Sequence, residues 1–192
     1  MGFRFVSSRS PVSPWRPNTV GTSARSQVSI ATGRTDSVEA LLRWHHPDRG
    51  IVPTDELIRV VAPTAVMQQL TAHVVDRVVG QLAEWNNIGV CLRAAVNVSI
   101  LDVITDDFDT QIGAALDHYG IDPEQLVIEI TERSMTDDTR AVDKAAHRLT
   151  RVGVGLSLDD FGTGYASLRR LNRLPLTEVK IDRSYVSKIV QQ

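Results

Sequence analysis

The amino-acid sequence predicts an α/β fold built on a mainly parallel sheet. After Asp36, short apolar segments alternate with longer amphipathic ones, a pattern typical of repeated strand–helix units. The length of 192 residues fits one domain, and the hydrophobic fraction of 42% and charged fraction of 23% lie close to globular averages. The chain is therefore expected to bury a core rather than to remain disordered.

The predicted elements follow one another along the chain. Apolar runs and helical stripes mark them, and Pro53 followed by two acids predicts the start of a short helix. Strands are predicted over residues 37–44, 92–98, 126–131, 154–159 and 178–182. Longer helices are predicted over residues 65–86, 107–119, 136–152 and 165–174. Gly120 is expected to take a left-handed conformation where a helix ends.

Residues 1–31 are predicted to be a disordered or mis-assigned leader, and the domain is predicted to occupy residues 32–192. The first 35 residues are rich in arginine and serine and contain no Asp or Glu. A transit peptide would need an amphipathic helix, which Pro11, Pro14 and Pro17 would break. We therefore expect this segment to lie outside the core.

Composition excludes several classes of protein. The net charge of -2 argues against a globally basic nucleic-acid binder, so we predict that DNA is not a partner. No apolar run approaches the roughly 18 residues that a membrane span needs. The single Cys91 can form no internal disulfide, which fits a reducing compartment. These observations predict a cytoplasmic protein without a membrane span.

Each predicted strand carries a charged or metal-capable residue in or at the end of an otherwise apolar run. These residues are Glu39, Asn97, Glu129, the adjacent Asp159 and Asp160, and Lys180. An ionised carboxylate in an apolar strand is very costly unless it is paired or coordinates a cation. Because the carboxyl ends of parallel strands face one shared pocket, we expect these side chains to converge.

The predicted cluster has the chemistry of a hard-cation site. Carboxylate and amide oxygens favour Mg²⁺ or Mn²⁺ over zinc. Asp159 and Asp160 are adjacent and could hold two ions close together, an arrangement that hydrolyses phosphate esters at ion separations of about 4 Å. One strand glutamate alone is more often an edge or solvent-facing residue, so the prediction depends on all the positions together.

An ordered set of short motifs resembles the EAL domain, the bacterial cyclic di-GMP phosphodiesterase family. The motifs are EALLRW (39–44), HP (46–47), NVS (97–99), EITE (129–132), DDFGTGY (159–165) and KIDR (180–183). Each motif is short, whereas the whole ordered set is highly specific. The resemblance implies a TIM-like (β/α) barrel that opens cyclic di-GMP to the linear dinucleotide with two Mg²⁺ or Mn²⁺ ions.

The resemblance also implies a role for each matched residue. The implied ligands of the first ion are Glu39, Asn97, Glu129 and Asp159, and those of the second ion are Asp159 and Asp160. The implied catalytic residues are Asp160, Lys180, which would position the attacking water, and Glu132, which would brace the loop after Asp160. The implied substrate contacts are Arg43, as a phosphate ligand, and Leu41.

The matched stretch is short for a complete barrel. It covers residues 32 to 190, against about 250 residues for a TIM barrel, so we expect an incomplete barrel that lacks the family's later second-ion glutamate. The family's Gln-Pro pair is not recognisable in residues 26–31. Three outcomes stay open: an active phosphodiesterase, a catalytically impaired module that binds cyclic di-GMP or regulates, and a remnant without a stable fold. A homodimer through barrel helices or exposed strand edges is a further expectation.

Overall fold

The structure, a computed structural model, describes residues 19–62, 64, 66–132, 139–163, 171–182 and 184. The strands of this part of the chain are β1 (Thr19–Val28), β2 (Thr35–His46), β3 (Gly50–Val52), β4 (Arg93–Asn97), β5 (Leu126–Thr131), β6 (Gly155–Phe161) and β7 (Glu178–Ile181). Its helices are α1 (Thr54–Val61), α2 (Val66–Asn87), α3 (Ile100–Val103), α4 (Phe108–Tyr119) and α5 (Thr139–Val152). A 3₁₀ turn, Pro123–Gln125, precedes β5.

The strands form one sheet in the order β1-β2-β4-β5-β6-β7, with β3 beside the end of β2. β2 pairs antiparallel with β1 and with β3, whereas the neighbouring strands from β2 through β4, β5 and β6 to β7 run parallel to one another. Over the residues that the structure describes, β1 and β7 lie at opposite edges, so the sheet is not closed. The predicted α/β class and the incomplete barrel are confirmed.

The structure differs from the sequence prediction at the start of the chain. Residues 19–28, which were expected in the leader, form β1 and pair with β2 along most of its length. β1 has few apolar residues, because as an edge strand it contributes little to the core, and composition alone therefore gives a weak strand signal. Residues 1–18 lie outside the described residues, and a leader there stays a prediction.

Most other predicted elements are present within a few residues of their predicted limits. The strand over residues 126–131 has the predicted limits, and Gly120 has φ 65° after α4, as expected for a left-handed helix end. The short elements β3 and α3 were not predicted, because three or four residues are too few to show periodicity. The helix predicted over residues 165–174 falls largely outside the described residues.

The core lies between the helices and one face of the sheet. α2 contributes the deeply buried Val74, Val75, Val78, Val79 and Leu82. From β5 and β6, alternate residues pack into the same core, namely Leu126, Ile128, Ile130, Leu156 and Leu158. The helices therefore cover one face of the sheet, and the other face is left for the polar residues of the strands.

No helix among the described residues combines the length and the hydropathy that crossing a bilayer requires.

Leu82→Ala should lower the free energy of unfolding by about 2–5 kcal/mol, because Leu82 is completely buried and its removal leaves a cavity against the sheet. Leu101→Ala is the matched control, since the Leu101 side chain is 63% exposed, and its effect should stay within about 0.5 kcal/mol. Urea denaturation followed by circular dichroism measures both. Equal losses for the two variants would contradict the described core.

Candidate functional site

Strand alternation places the polar strand residues on the face of the sheet opposite the helices. Successive side chains of a strand point to opposite faces. In β2, Val38 and Ala40 belong to the helix-covered core, so Glu39, Leu41 and Arg43 share the other face. The same alternation assigns to that face Asn97 in β4, Glu129 in β5 and Asp159 in β6. Four separate strands thus supply polar side chains to one face.

Strand register brings these residues to a common level. Asn97 lies directly opposite Glu129, and Asp159 lies opposite Thr131, two residues beyond Glu129. Glu39 lies opposite Ala95, two residues before Asn97. The side chains of Glu39 and Asn97 meet, since Asn97 Nδ2 donates to Glu39 Oε1 at 3.1 Å. The register therefore places these four residues on adjacent strands within two positions of one another, and their convergence on one ion stays a prediction.

Glu129 is the most deeply buried charged residue of this face. Its residue surface is 1% exposed, and the ammonium of Lys180 on β7 forms an ion pair with Oε1. Burial raises the pKa of the Glu129 carboxyl, the Lys180 ammonium opposes that rise, and the negative charges of Glu39 and Asp159 add to it. Negative charge is therefore crowded around Glu129, and the Lys180 ammonium compensates part of it.

Glu39 has two partners from neighbouring strands. Oε1 accepts from Asn97, and Oε2 accepts from Arg25 Nη1 at 3.2 Å. Arg25 lies on β1, directly opposite Glu39 in the antiparallel register. Arg25 is not among the predicted site residues, because it falls in the predicted leader. The turn around Gly33, which has φ 67°, could have revealed a hairpin between β1 and β2.

Asp160 lies near the end of β6, and Glu132 holds the turn that follows this strand. Asp160 has φ 55° and is, among the described residues, the one non-glycine residue with positive φ. Two residues later, the Gly162 N–H donates to Glu132 Oε2 at 2.8 Å, and Glu132 is buried. The resemblance implies that Glu132 braces this turn, and such a role requires a contact of this kind. By holding Gly162, Glu132 would also fix the backbone of Asp160, two residues earlier. The role itself stays a prediction.

The substrate contacts implied by the resemblance lie beyond Glu39 on β2. Arg43 and Leu41 share the face of Glu39, and Arg43 Nη1 donates to the Leu42 carbonyl at 3.0 Å.

The described polar side chains of this face do not form a closed coordination shell for a metal ion. Among the described residues, no group of three or more His, Cys, Asp or Glu side chains lies close enough to hold a metal ion.

The donor set nevertheless fits a divalent cation. The acidic and amide oxygens of the face are hard ligands of the kind that Mg²⁺ and Mn²⁺ prefer. Glu129 Oε2 is buried and accepts no hydrogen bond from the described residues, a costly state that a cation would relieve. At present Lys180, Arg25 and Asn97 provide the compensation. A metal ion bound here would therefore take the place of these side-chain donors at the carboxylates of Glu129 and Glu39.

Comparison with known proteins identifies similar sequences. A family model described as EAL domain matches residues 18–192, a range that includes β1. Cyclic di-GMP phosphodiesterase PA2567 of Pseudomonas aeruginosa is 38% identical over 159 residues, which cover 83% of this chain and 27% of that protein. The chain spans about a quarter of the length of the curated relatives it matches.

Solved structures share the fold. PaMucR phosphodiesterase in complex with c-di-GMP has a TM-score of 0.83 and 32% sequence identity, and the match covers 90% of this chain and 70% of that one. The manganese/cy-diGMP complex of Klebsiella pneumoniae BlrP1 at pH 6 has a TM-score of 0.74 and 25% identity, covering 92% of this chain and 43% of that one. These similarities confirm the TIM-like barrel architecture that the motifs implied.

Glu132→Ala should destabilise the protein by about 1–3 kcal/mol, because the Gly162 N–H then loses its acceptor in a buried setting. Glu132→Gln keeps an oxygen acceptor of the same length and should cost less. Amide hydrogen exchange at Gly162, together with urea denaturation, measures the effect. Unchanged exchange at Gly162 in the alanine variant would show that Glu132 does not hold this turn.

Proposed function

The chain belongs to the EAL domain family, and we propose that it binds cyclic di-GMP and hydrolyses it to the linear dinucleotide with divalent metal ions, in bacterial second-messenger signalling. Relatives named as cyclic di-GMP phosphodiesterases support the substrate. The observation that carries the proposal is the buried Glu129 carboxylate, which is paired with Lys180 and lies near the negative charges of Glu39 and Asp159. Such a cluster is suited to cations and phosphates.

The proposed metal ligands are the oxygen donors of four successive parallel strands. Glu39, Asn97, Glu129 and Asp159 would hold the first ion, and Asp159 with Asp160 would hold the second. The presence of manganese with cyclic di-GMP in the BlrP1 complex supports a divalent ion in this fold. When bound, such ions polarise a phosphoryl oxygen and make a water nucleophilic near neutral pH.

The chain's own residues would position the reacting groups. Lys180 provides a largely buried ammonium at Glu129, from which it would hydrogen-bond the attacking water and stabilise negative charge on the phosphate. Glu132 would keep Asp160 in position through the Gly162 turn. Arg43 would contact a phosphate and Leu41 would contact the ligand, because both share the face of Glu39.

A second candidate is binding of cyclic di-GMP without hydrolysis, as a regulatory module. The pairing of the site carboxylates favours it, since Glu129 is held by Lys180 and Glu39 by Arg25 and Asn97. Over the described ranges, no three acidic, histidine or cysteine side chains already form a metal-binding group. Such a module would bind the nucleotide while its carboxylates remained paired with side chains of the chain.

Incubation of the purified protein with Mn²⁺ and cyclic di-GMP, followed by chromatography, should yield the linear dinucleotide. Asp159→Asn should weaken Mn²⁺ binding by at least about tenfold and should reduce turnover, because it removes a proposed ligand of both ions. Lys180→Ala should weaken Mn²⁺ binding less, since Lys180 is not a proposed ligand. Titration with Mn²⁺ measures the two affinities.

Asp122→Asn is a matched control for these variants. Asp122 lies before β5, at the opposite end of the strand from the site, and its Oδ1 accepts from the Glu124 N–H, a bond that asparagine can keep. The control should bind Mn²⁺ like the unsubstituted protein. Nucleotide binding without product would favour the second candidate. The absence of both nucleotide binding and turnover would contradict both candidates. Equal effects of Asp159→Asn and Lys180→Ala on Mn²⁺ affinity would contradict the assigned roles.

A further inference from the structure

Arg25 contacts a carboxylate that the proposed function assigns to a metal ion. Its Nη1 lies 3.2 Å from Glu39 Oε2, and the two residues face each other across the β1–β2 ladder. The two side chains differ in exposure, because Arg25 is 67% exposed whereas Glu39 is 13% exposed. An exposed guanidinium therefore contacts a largely buried carboxylate at the edge of the site.

Both oxygens of Glu39 are already engaged by donors of the chain. Asn97 donates to Oε1 and Arg25 donates to Oε2. A metal ion that binds through Glu39 Oε2 competes with the Arg25 guanidinium, because both cations are attracted to the same oxygen and repel each other. Arginine keeps its positive charge at every physiological pH, so the displaced side chain would still repel the ion from nearby.

Arg25 and Lys180 differ in what they can do at the site. The Lys180 side chain is 19% exposed and contacts the completely buried side chain of Glu129, so it is enclosed by the sheet. Arg25 extends from an edge strand into solvent and can leave Glu39 without opening the core. Arg25 is therefore the cation whose departure frees a carboxylate of the site at the lowest cost.

We infer that Arg25 is an affinity-setting residue that competes with divalent cations for Glu39. The inference rests on the proposed metal site and adds a residue of this chain that opposes occupation of that site. The competing explanation is that the Arg25–Glu39 ion pair stabilises the pairing of β1 with β2. It would contribute little to that pairing, because the ten residues of β1 already pair with β2 through the backbone. An exposed ion pair contributes little to such a ladder.

Mn²⁺ titration of the nucleotide-free protein, with free Mn²⁺ read by electron paramagnetic resonance, tests the inference without any turnover. Arg25→Gln should bind Mn²⁺ about fivefold more tightly than the unsubstituted protein, the upper range for loss of an exposed ion pair. Arg25→Glu should bind more tightly than Arg25→Gln, because it replaces a repulsive charge with an attractive one. Thermal melting followed by circular dichroism verifies that each variant is folded.

Arg93→Gln is the matched control. Arg93 is also exposed and also on a strand of this sheet, but it begins β4, at the opposite end from Asn97. Its loss should leave Mn²⁺ affinity within twofold of the unsubstituted value. In the unsubstituted protein, the Nε–H resonance of Arg25, assigned through its backbone, should shift on addition of diamagnetic Mg²⁺ as the guanidinium leaves Glu39.

Unchanged or weakened Mn²⁺ binding in Arg25→Gln would overturn the inference, as would an Arg25 resonance that ignores Mg²⁺. A loss of cyclic di-GMP affinity with unaltered Mn²⁺ affinity would also overturn it, because Arg25 would then be a phosphate contact. If neither the unsubstituted protein nor the variants bind Mn²⁺, the proposed metal site fails along with the inference. If all bind Mn²⁺ equally, only the role of Arg25 fails.

Discussion

The buried carboxylate of Glu129 is the constraint around which the rest of the site is organised. Glu129 lies in the middle of a strand whose neighbouring residues are apolar and buried, so its charge needs a partner inside the protein. Lys180 provides that partner from β7, which is two strands away in the sheet. The order of β5, β6 and β7 in the sheet therefore brings the Lys180 ammonium to the Glu129 carboxylate.

The same arrangement separates stability from chemistry. Alternate residues of β2, β4, β5 and β6 pack beneath the helices, while intervening residues carry the amide and the carboxylates of the site, and β7 adds the ammonium. Loops at the carboxyl ends of the strands then fix the local backbone beside the site, as in the hydrogen bond from the Gly162 N–H to Glu132 Oε2. A substitution on the helix-covered face would act through packing, whereas a change on the opposite face would act through charge and hydrogen bonding.

Much of this could be predicted from the sequence, for physical reasons that differ between residues. The strand containing Glu129 was predictable because a short apolar run with one carboxylate has few other stable environments. β1 and Arg25 were not predictable from composition, because an edge strand needs few apolar residues and its pairing depends on a partner strand. The pairing of Glu39 with both Arg25 and Asn97 depends on register, which periodicity alone does not determine.

A crystal structure with Mn²⁺, located by its anomalous scattering, tests the shared-cation site most directly. An anomalous peak about 2.0–2.5 Å from oxygens of Glu39, Asn97, Glu129 and Asp159, with Arg25 turned away from Glu39, is the predicted result. Absence of a peak from this face at saturating Mn²⁺, with the Glu129–Lys180 and Glu39–Arg25 pairs intact, would contradict a shared cation at these strands.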